Sequence, residues 1–292
     1  MLSVRPISAF AVLLILSGLQ AEAGDGTSET SIERWDRVIC LVESRTDAAG
    51  KKSGDAGSAF LLEDNGKLVL VTAGHVAQFT TAKSRVLFRD AEGESHWIIL
   101  GGLTAGTGQP WRHHAQADLA VMEIDAGQVE PARFAAFTAL AIPLDHLAAS
   151  TPRRTTQIEI TGFPMLLGAT PHVSPLVMAA EVASRELLLE AKWGHEEIVF
   201  AHPAVPNGTS GGPAFITSED PQEARILGLY IGFQQDNHGH KLAKLVPGHV
   251  ILDLVRAAGS AAGKTTNQPF QSPPDEPAAA EDSAAAALNA GS

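Results

Sequence analysis

Six short runs rich in Val, Ile, Leu and Phe precede residue 130, and seven more follow residue 156, each closed off by turn-forming residues. The first set is Arg37–Val42, Ser58–Leu62, Lys67–Val71, Arg85–Phe88, Trp97–Leu100 and Leu119–Ile124. The second is Gln157–Ile160, Leu176–Ala180, Glu186–Leu189, Glu197–Phe200, Ala214–Ile216, Ile226–Phe233 and Lys241–Leu245. Runs of this length and composition, separated by signals such as Asp64-Asn65-Gly66, read as β-strands. They do not alternate with long amphipathic helices, which excludes a parallel α/β sheet. One helix is expected, Gly248 to Ala258, where Val250, Leu254 and Val255 make an apolar face and Gly259 is a stop. The pattern predicts an all-β fold of two consecutive antiparallel barrels or sandwiches with a cleft between them.

The ends of the chain read differently. Arg5, the apolar run Ile7–Leu19 and Ala21-Glu22-Ala23 are the three parts of a secretory signal peptide, residues 1–23. A linker, 24–32, is expected to follow, then a first β unit over 33–130, a connection over 131–152 and a second β unit with the helix over 153–258. From 259 to 292 the chain is rich in Pro and Ala and poor in residues that bury surface, the composition of a disordered tail. The expectation is an exported protein, periplasmic or secreted. Its single cysteine, Cys40, lies in the apolar run Val38–Val42, which predicts a buried, inert thiol and rules out an intrachain disulfide. The net charge is −12, with no Lys/Arg-rich run. That argues against nucleic acid, or an anionic membrane after signal cleavage, as a partner.

Chemistry concentrates in Asn207-Gly208-Thr209-Ser210-Gly211-Gly212-Pro213. Glycines free the backbone to aim N–H groups at a developing negative charge beside a nucleophilic hydroxyl. Ser210 reads as the nucleophile, with the N–H groups of Gly208 and Ser210 as its oxyanion hole; a Gly/Ser-rich surface turn is the plain alternative. His75 follows the strand Lys67–Val71 and is placed to enter a cleft. Asp118 stands at the mouth of the apolar strand that begins at Leu119, where a partly buried carboxylate needs a partner and the Nδ1–H of His75 would supply one. Each residue alone also fits a structural role, His75 as a core histidine and Asp118 as a strand-end turn residue.

Taken together, Thr72-Ala73-Gly74-His75, Asp118-Leu119-Ala120 and Gly208-Thr209-Ser210-Gly211-Gly212-Pro213 resemble the trypsin-like, chymotrypsin-fold serine peptidases in order and in spacing. The resemblance implies two six-stranded antiparallel barrels with a C-terminal helix, a His75–Asp118–Ser210 triad between them, a peptide or protein substrate, and no cofactor. Two departures point to the bacterial exported branch. Thr209 stands where the vertebrate digestive enzymes carry an aspartate, and their disulfide scaffold is missing. The stretch after Ala258 is too short for the PDZ domain of HtrA-type proteases. The resemblance puts Ala204 at the base of the primary specificity pocket and Ile231, Gly232 and Phe233 on its wall, implying a pocket for small or medium apolar residues such as Ala or Val. The alternative from the same residues is a non-catalytic or latent relative that binds peptides or a protein in the cleft.

Gly208-Thr209-Ser210-Gly211-Gly212 also fits G-x-S-x-G, the nucleophile elbow of α/β-hydrolases. That elbow needs a helix after the serine, and Pro213–Ile216 reads as a strand. The histidines suggest no metal site, because His195-Glu196-Glu197 lacks a second histidine at 199 and His113-His114 and His238-Gly239-His240 have no ligand cluster beside them. His113 and His114 are candidates for the cleft rim, and His202 for the pocket lining.

Overall fold

The computed structural model describes residues 32–46, 52–104, 110–191 and 194–260. The expected signal peptide, nearly all of the linker and the tail beyond Ser260 lie outside the described residues. The first sheet contains β1 (Val38–Thr46), β2 (Lys52–Asp64), β3 (Lys67–Thr72), β4 (Arg85–Arg89), β5 (Ser95–Ile99), β6 (Arg112–His113), β7 (Ala120–Glu123) and β8 (Ile142–Pro143). Its order is β5-β4-β1-β2-β3-β7-β6, all antiparallel, with β8 joining β2 in parallel. The second contains β9 (Gln157–Gly162), β10 (Leu176–Val182), β11 (Leu187–Ala191), β12 (Gly194–His202), β13 (Pro213–Ile216), β14 (Ile226–Gln235) and β15 (Lys241–Pro247).

In the second sheet, the order β10-β9-β13-β14-β15-β12 returns on itself through the pairs Glu181↔His202 and Val182↔Ala201, and β11 hangs on β12 outside that ring. All thirteen expected runs are strands, and the fold is the double-barrel-like arrangement that the resemblance implied. The first sheet exceeds the expected six strands by β6 and β8. Each is only two residues long, too short to carry an alternation pattern.

Three α-helices are present among the described residues: α1 (Gly74–Phe79), α2 (Pro131–Leu140) and α3 (Gly248–Ser260). Helix α3 was expected, but it continues through Gly259, the expected stop, to Ser260; it buries Val250, Leu254 and Val255 together with Ile251. The connection 131–152 turns out to be structured. Pro131 occupies the first helical turn of α2, and the Glu130 carboxylate accepts the N–H groups of Ala132 and Arg133 at 3.2 and 3.4 Å. This is the standard chemistry of a helix start. At the other end, Arg37 donates to the carbonyls of Ala139 and Ala141, both at 3.0 Å.

A large apolar cluster fills the first sheet and continues across to Phe163, Phe215, Leu229 and Val246 of the second half and to α3. A smaller one, with Ile158, Ile160, Val199, Tyr230 and Leu245, fills the ring of the second sheet. Cys40 is fully buried, and burial pushes its thiol up to about 12, which makes it as inert as its setting predicted. The two sheets are also tied at the start of the described chain. The guanidinium of buried Arg34 meets the Glu159 carboxylate of β9 at 2.9 Å and donates to the carbonyls of Ser218 and Asp220, while Trp35 Nε1 donates to the same carboxylate at 2.8 Å.

Candidate active site

The register of β3 and β7 brings the first two candidate residues together. Thr72 pairs with Ala120, so the residues just after β3 and just before β7 are neighbours. His75 is not on the strand itself but in the first turn of α1, where backbone N–H groups lack helical partners. The Asp118 carboxylate fills that gap: Oδ1 accepts the His75 N–H at 2.8 Å, and Oδ2 sits 2.7 Å from His75 Nδ1. One carboxylate thus fixes both the backbone and the ring of the histidine. A Cβ on Gly74 would stand 2.9 Å from Asp118 Oδ1, so this contact requires glycine there. The Asp118 side chain is 11% exposed, whereas that of His75 is 44% exposed.

Ser210 lies in the loop between β12 and β13, and buried Ser58 of β2 holds that loop from the first sheet. Ser58 N–H donates to Ser210 O at 2.8 Å, and Ser58 Oγ donates to Gly208 O and accepts the Phe163 N–H, both at 3.0 Å. Thr72 Oγ1 in turn donates to Ser58 O at 2.7 Å. Gly211 N–H donates to Tyr230 O, and Tyr230 N–H to Gly212 O, so β14 holds the loop from the second sheet. Gly211 has φ +90°, and a Cβ there would fall 1.9 Å from Ser58 O. The nucleophile candidate therefore sits on a backbone pinned between the two sheets.

The same bonds orient the candidate oxyanion donors. Asn207 O accepts the Met165 N–H at 2.8 Å, and Thr209 O accepts the Gly212 N–H at 2.9 Å. In a planar trans peptide the C=O and the following N–H point in opposite directions. The Gly208 N–H is thereby turned away from the 163–168 loop, and the Ser210 N–H away from Gly212. Neither donates to a protein acceptor among the described residues. Met165 and Leu166, with φ of +54° and +63°, hold a conformation rare for their type, and Met165, Leu166 and Leu167 are exposed. Among the described residues, the hydrogen bonds of the His75 ring end at Asp118 and do not reach Ser210 Oγ. Bonds of this kind commonly tighten only when substrate binds.

The expected pocket residues fall in two places. Ile231, Gly232 and Phe233 follow one another on β14. Ile231 is buried, Gly232 sits at a register shift with φ +124° facing open space, and the Phe233 ring is capped by Lys241 Nζ at 4.1 Å. Ala204 is half-buried beside the core of the second ring. His202 lines a cavity of about 670 Å³ with Arg154, Thr155, Gln157, Glu181 and Pro203, and neither Ala204 nor Ile231–Phe233 contributes to it. His113 lies on β6 opposite Ala120; burial pulls its imidazole below the usual range against the opposing charge of Asp118. Burial likewise lowers His114, here against Asp253 of α3. No cluster of His, Cys, Asp and Glu suited to a metal occurs among the described residues.

Sequence reasoning passed over Ser58, Met165 and Glu196. Glu196 of β12 is buried, accepts the Asp118 N–H at 3.3 Å and pairs with Lys244 at 3.1 Å. Its signal was strand alternation, which puts Glu196 in phase with buried Ile198.

Two antiparallel sheets packed through a shared core, with a glycine-rich serine loop pinned between them, define a chymotrypsin-like serine protease. Residues 57–221, more than half of the chain, match the trypsin-like peptidase domain, and the chain belongs to that family. Among solved structures it is similar to an inactive serine-to-alanine variant of Rv3671c from M. tuberculosis H37Rv. That match has 12% identity and a TM-score of 0.50, over 79% of this chain and 91% of the other. It is also similar to a serine-to-alanine variant of the HtrA-type protease AlgW with a tripeptide, at 16% identity and a TM-score of 0.50, over 80% of this chain and 63% of the other. At these identities the likeness is one of fold. No curated protein matches the sequence.

Proposed function

We propose that this chain is an exported serine endopeptidase that cleaves peptide bonds through Ser210, His75 and Asp118. The observation that carries the reading is the double grip of Asp118 on His75, through the backbone N–H and through Nδ1. A carboxylate so placed selects the tautomer with the proton on Nδ1 and leaves Nε2 as a base. Ser210 Oγ attacks the scissile carbonyl carbon while His75 Nε2 takes its proton. The oxyanion is met by the N–H groups of Gly208 and Ser210, a role supported by the carbonyls of Asn207 and Thr209 being held on the other side of those peptides. The intermediate collapses with cleavage of the C–N bond, and the imidazolium returns the proton to the leaving amine. Water then attacks the acyl-enzyme with His75 again as base, releasing the acid and Ser210.

The substrate residue before the cleaved bond is expected to be small or medium and apolar, such as Ala or Val, as the resemblance implies for a pocket with Ala204 at its base and Ile231, Gly232 and Phe233 on its wall. The family membership supports peptide or protein substrates. The signal-peptide pattern of residues 1–23 supports export to the periplasm or medium. Reaction of the mature chain with a fluorophosphonate probe, mapped by peptide mass spectrometry, tests the triad. Labelling at Ser210 that is abolished in Ser210→Ala and strongly reduced in His75→Ala is expected. A folded chain that does not label, yet binds peptides, would replace this reading with that of a latent or non-catalytic relative. A panel of internally quenched peptides varied at one residue tests the pocket, and a clear Arg or Glu preference would refute it.

A further inference from the structure

We infer that Glu196 is a positioning residue for the Asp118–His75 pair, acting from the opposite sheet through the backbone of Asp118. The inference rests on the triad proposed above. Glu196 is carried by β12 of the second sheet, whereas Asp118 leads into β7 of the first. Its carboxylate is 1% exposed and has one partner on each oxygen: Oε1 accepts the Asp118 N–H at 3.3 Å, and Oε2 accepts from Lys244 Nζ at 3.1 Å. Lys244 reaches it from the adjacent strand β15, where it lies opposite Phe200 in the register. A buried carboxylate is costly unless paired and hydrogen-bonded, and no step of the mechanism above uses this one.

What this carboxylate holds gives it a role. Both Asp118 oxygens face His75, and the Asp118 backbone N–H is a further handle on the aspartate that leaves those two contacts in place. That backbone lies in a short turn closed by the Leu119 N–H on Ala117 O. The Asp118 N–H is the link from this turn to the second sheet, which also carries Ser210. The Glu196–Lys244 pair thus sets where the first-sheet half of the triad stands relative to the nucleophile. A displacement of about 1 Å in such an arrangement is enough to cost on the order of 10²-fold in rate.

The test uses the mature chain with Glu196→Gln, Glu196→Ala and the double variant Glu196→Met/Lys244→Met. The double variant removes the buried carboxylate together with its half-buried partner and so strands neither charge. Readouts are kcat and KM on a quenched peptide, the rate of fluorophosphonate labelling, the melting temperature, and the proton NMR signal of the His75 Nδ1–H. Glu196→Gln keeps an acceptor oxygen and is expected to stay within a few-fold of wild type. Glu196→Ala and the double variant lose the acceptor. Their kcat and labelling rate are expected to fall about 10- to 100-fold with KM nearly unchanged, the split expected when only the transition state is affected, and the Nδ1–H signal to broaden through exchange. A folded Ala or double-Met variant with wild-type kcat and an intact Nδ1–H signal overturns the inference. If the wild-type chain does not label at Ser210, the proposed function fails instead, and the Nδ1–H signal still decides the role of Glu196: lost in the variants, the role stands; kept, it falls.

Discussion

Ser58 donates its N–H to the carbonyl of Ser210 at 2.8 Å, so the proposed nucleophile is carried by one sheet and fastened to the other. The Ser58 hydroxyl adds two bonds at the same place, to Gly208 O and from the Phe163 N–H. Ser58→Ala deletes both and leaves two polar backbone groups without that partner, at about 1–3 kcal/mol each. The melting temperature is expected to fall by several degrees. The labelling rate at Ser210 is expected to drop at least about tenfold, because Gly208 also supplies an oxyanion donor. Calorimetry and fluorophosphonate kinetics on the same sample separate the two effects, and an unchanged labelling rate would show that Ser58 only stabilises the fold.

Two glycines with positive φ should behave differently. At Gly211 an added Cβ would lie 1.9 Å from Ser58 O and 2.3 Å from Thr72 Oγ1, both part of the clamp on the serine loop. Gly211→Ala must therefore displace the loop, and labelling is expected to fall more than about 10²-fold. At Gly232 the Cβ meets open space, so Gly232→Ala adds backbone strain of about 1–3 kcal/mol and leaves the serine loop untouched. It is expected to lower the melting temperature while Ser210 still labels. Equal losses of labelling in the two variants would contradict this ordering.

Asp118→Asn tests the double grip directly. The carboxylate offers one oxygen to the His75 N–H and one to Nδ1, whereas an amide offers one oxygen in total. The ring is then freed or held in the wrong tautomer. The expected loss in kcat is about 10⁴-fold near neutral pH, with the fold retained by circular dichroism. A loss below about tenfold would remove Asp118 from the mechanism.

The residues that were legible in advance share one property: their signal is local. All thirteen long strands announced themselves by short β-branched and apolar runs, and His75, Asp118 and Ser210 stood at strand ends or in a glycine cluster. Helix α2 was missed although Glu130 and Pro131 spelled out its start, because its alanines read as a linker. Ser58, Met165 and Glu196 act through backbone groups 42 to 152 residues away, as in Ser58 Oγ to Gly208 O across 150 positions and the Asp118 N–H to Glu196 across 78. Strand alternation marks Glu196 as buried, but no spacing in the chain names the partner of such a contact.

Arg34 and Glu159 hold the start of the described chain against β9 by a buried ion pair with a shared partner in Trp35. Removing one member of such a pair strands the other, at about 3–5 kcal/mol. Arg34→Ala is expected to lower the unfolding free energy by that amount, read from the shift of the denaturant midpoint, without slowing the labelling of Ser210 in the folded protein, since no bond of the clamp passes through Arg34. A neutral Arg34→Ala would mean that water replaces the guanidinium at Glu159.

The chain has one tyrosine, Tyr230, so its ionisation can be followed alone by the near-ultraviolet absorbance of the phenolate. The Tyr230 side chain is buried inside the closed second sheet, where its hydroxyl donates to Val205 O at 2.7 Å, and burial pushes the hydroxyl up to about 12. An unfolded tyrosine titrates near about 10. Between these values the native chain keeps a proton that the unfolded chain has lost, so the stability contributed by Tyr230 is complete below pH 10. It declines as the pH rises through about 12. Native protein is expected to show almost no phenolate absorbance until it nears that upper value, and denatured protein to show it about two units earlier. Tyr230→Phe leaves the Val205 carbonyl unpaired, costing about 1–2 kcal/mol at neutral pH, but removes the alkaline decline that belongs to this group. If the melting temperatures of wild type and Tyr230→Phe fell in parallel from pH 10 to 12, the phenol would not be the group that limits alkaline stability.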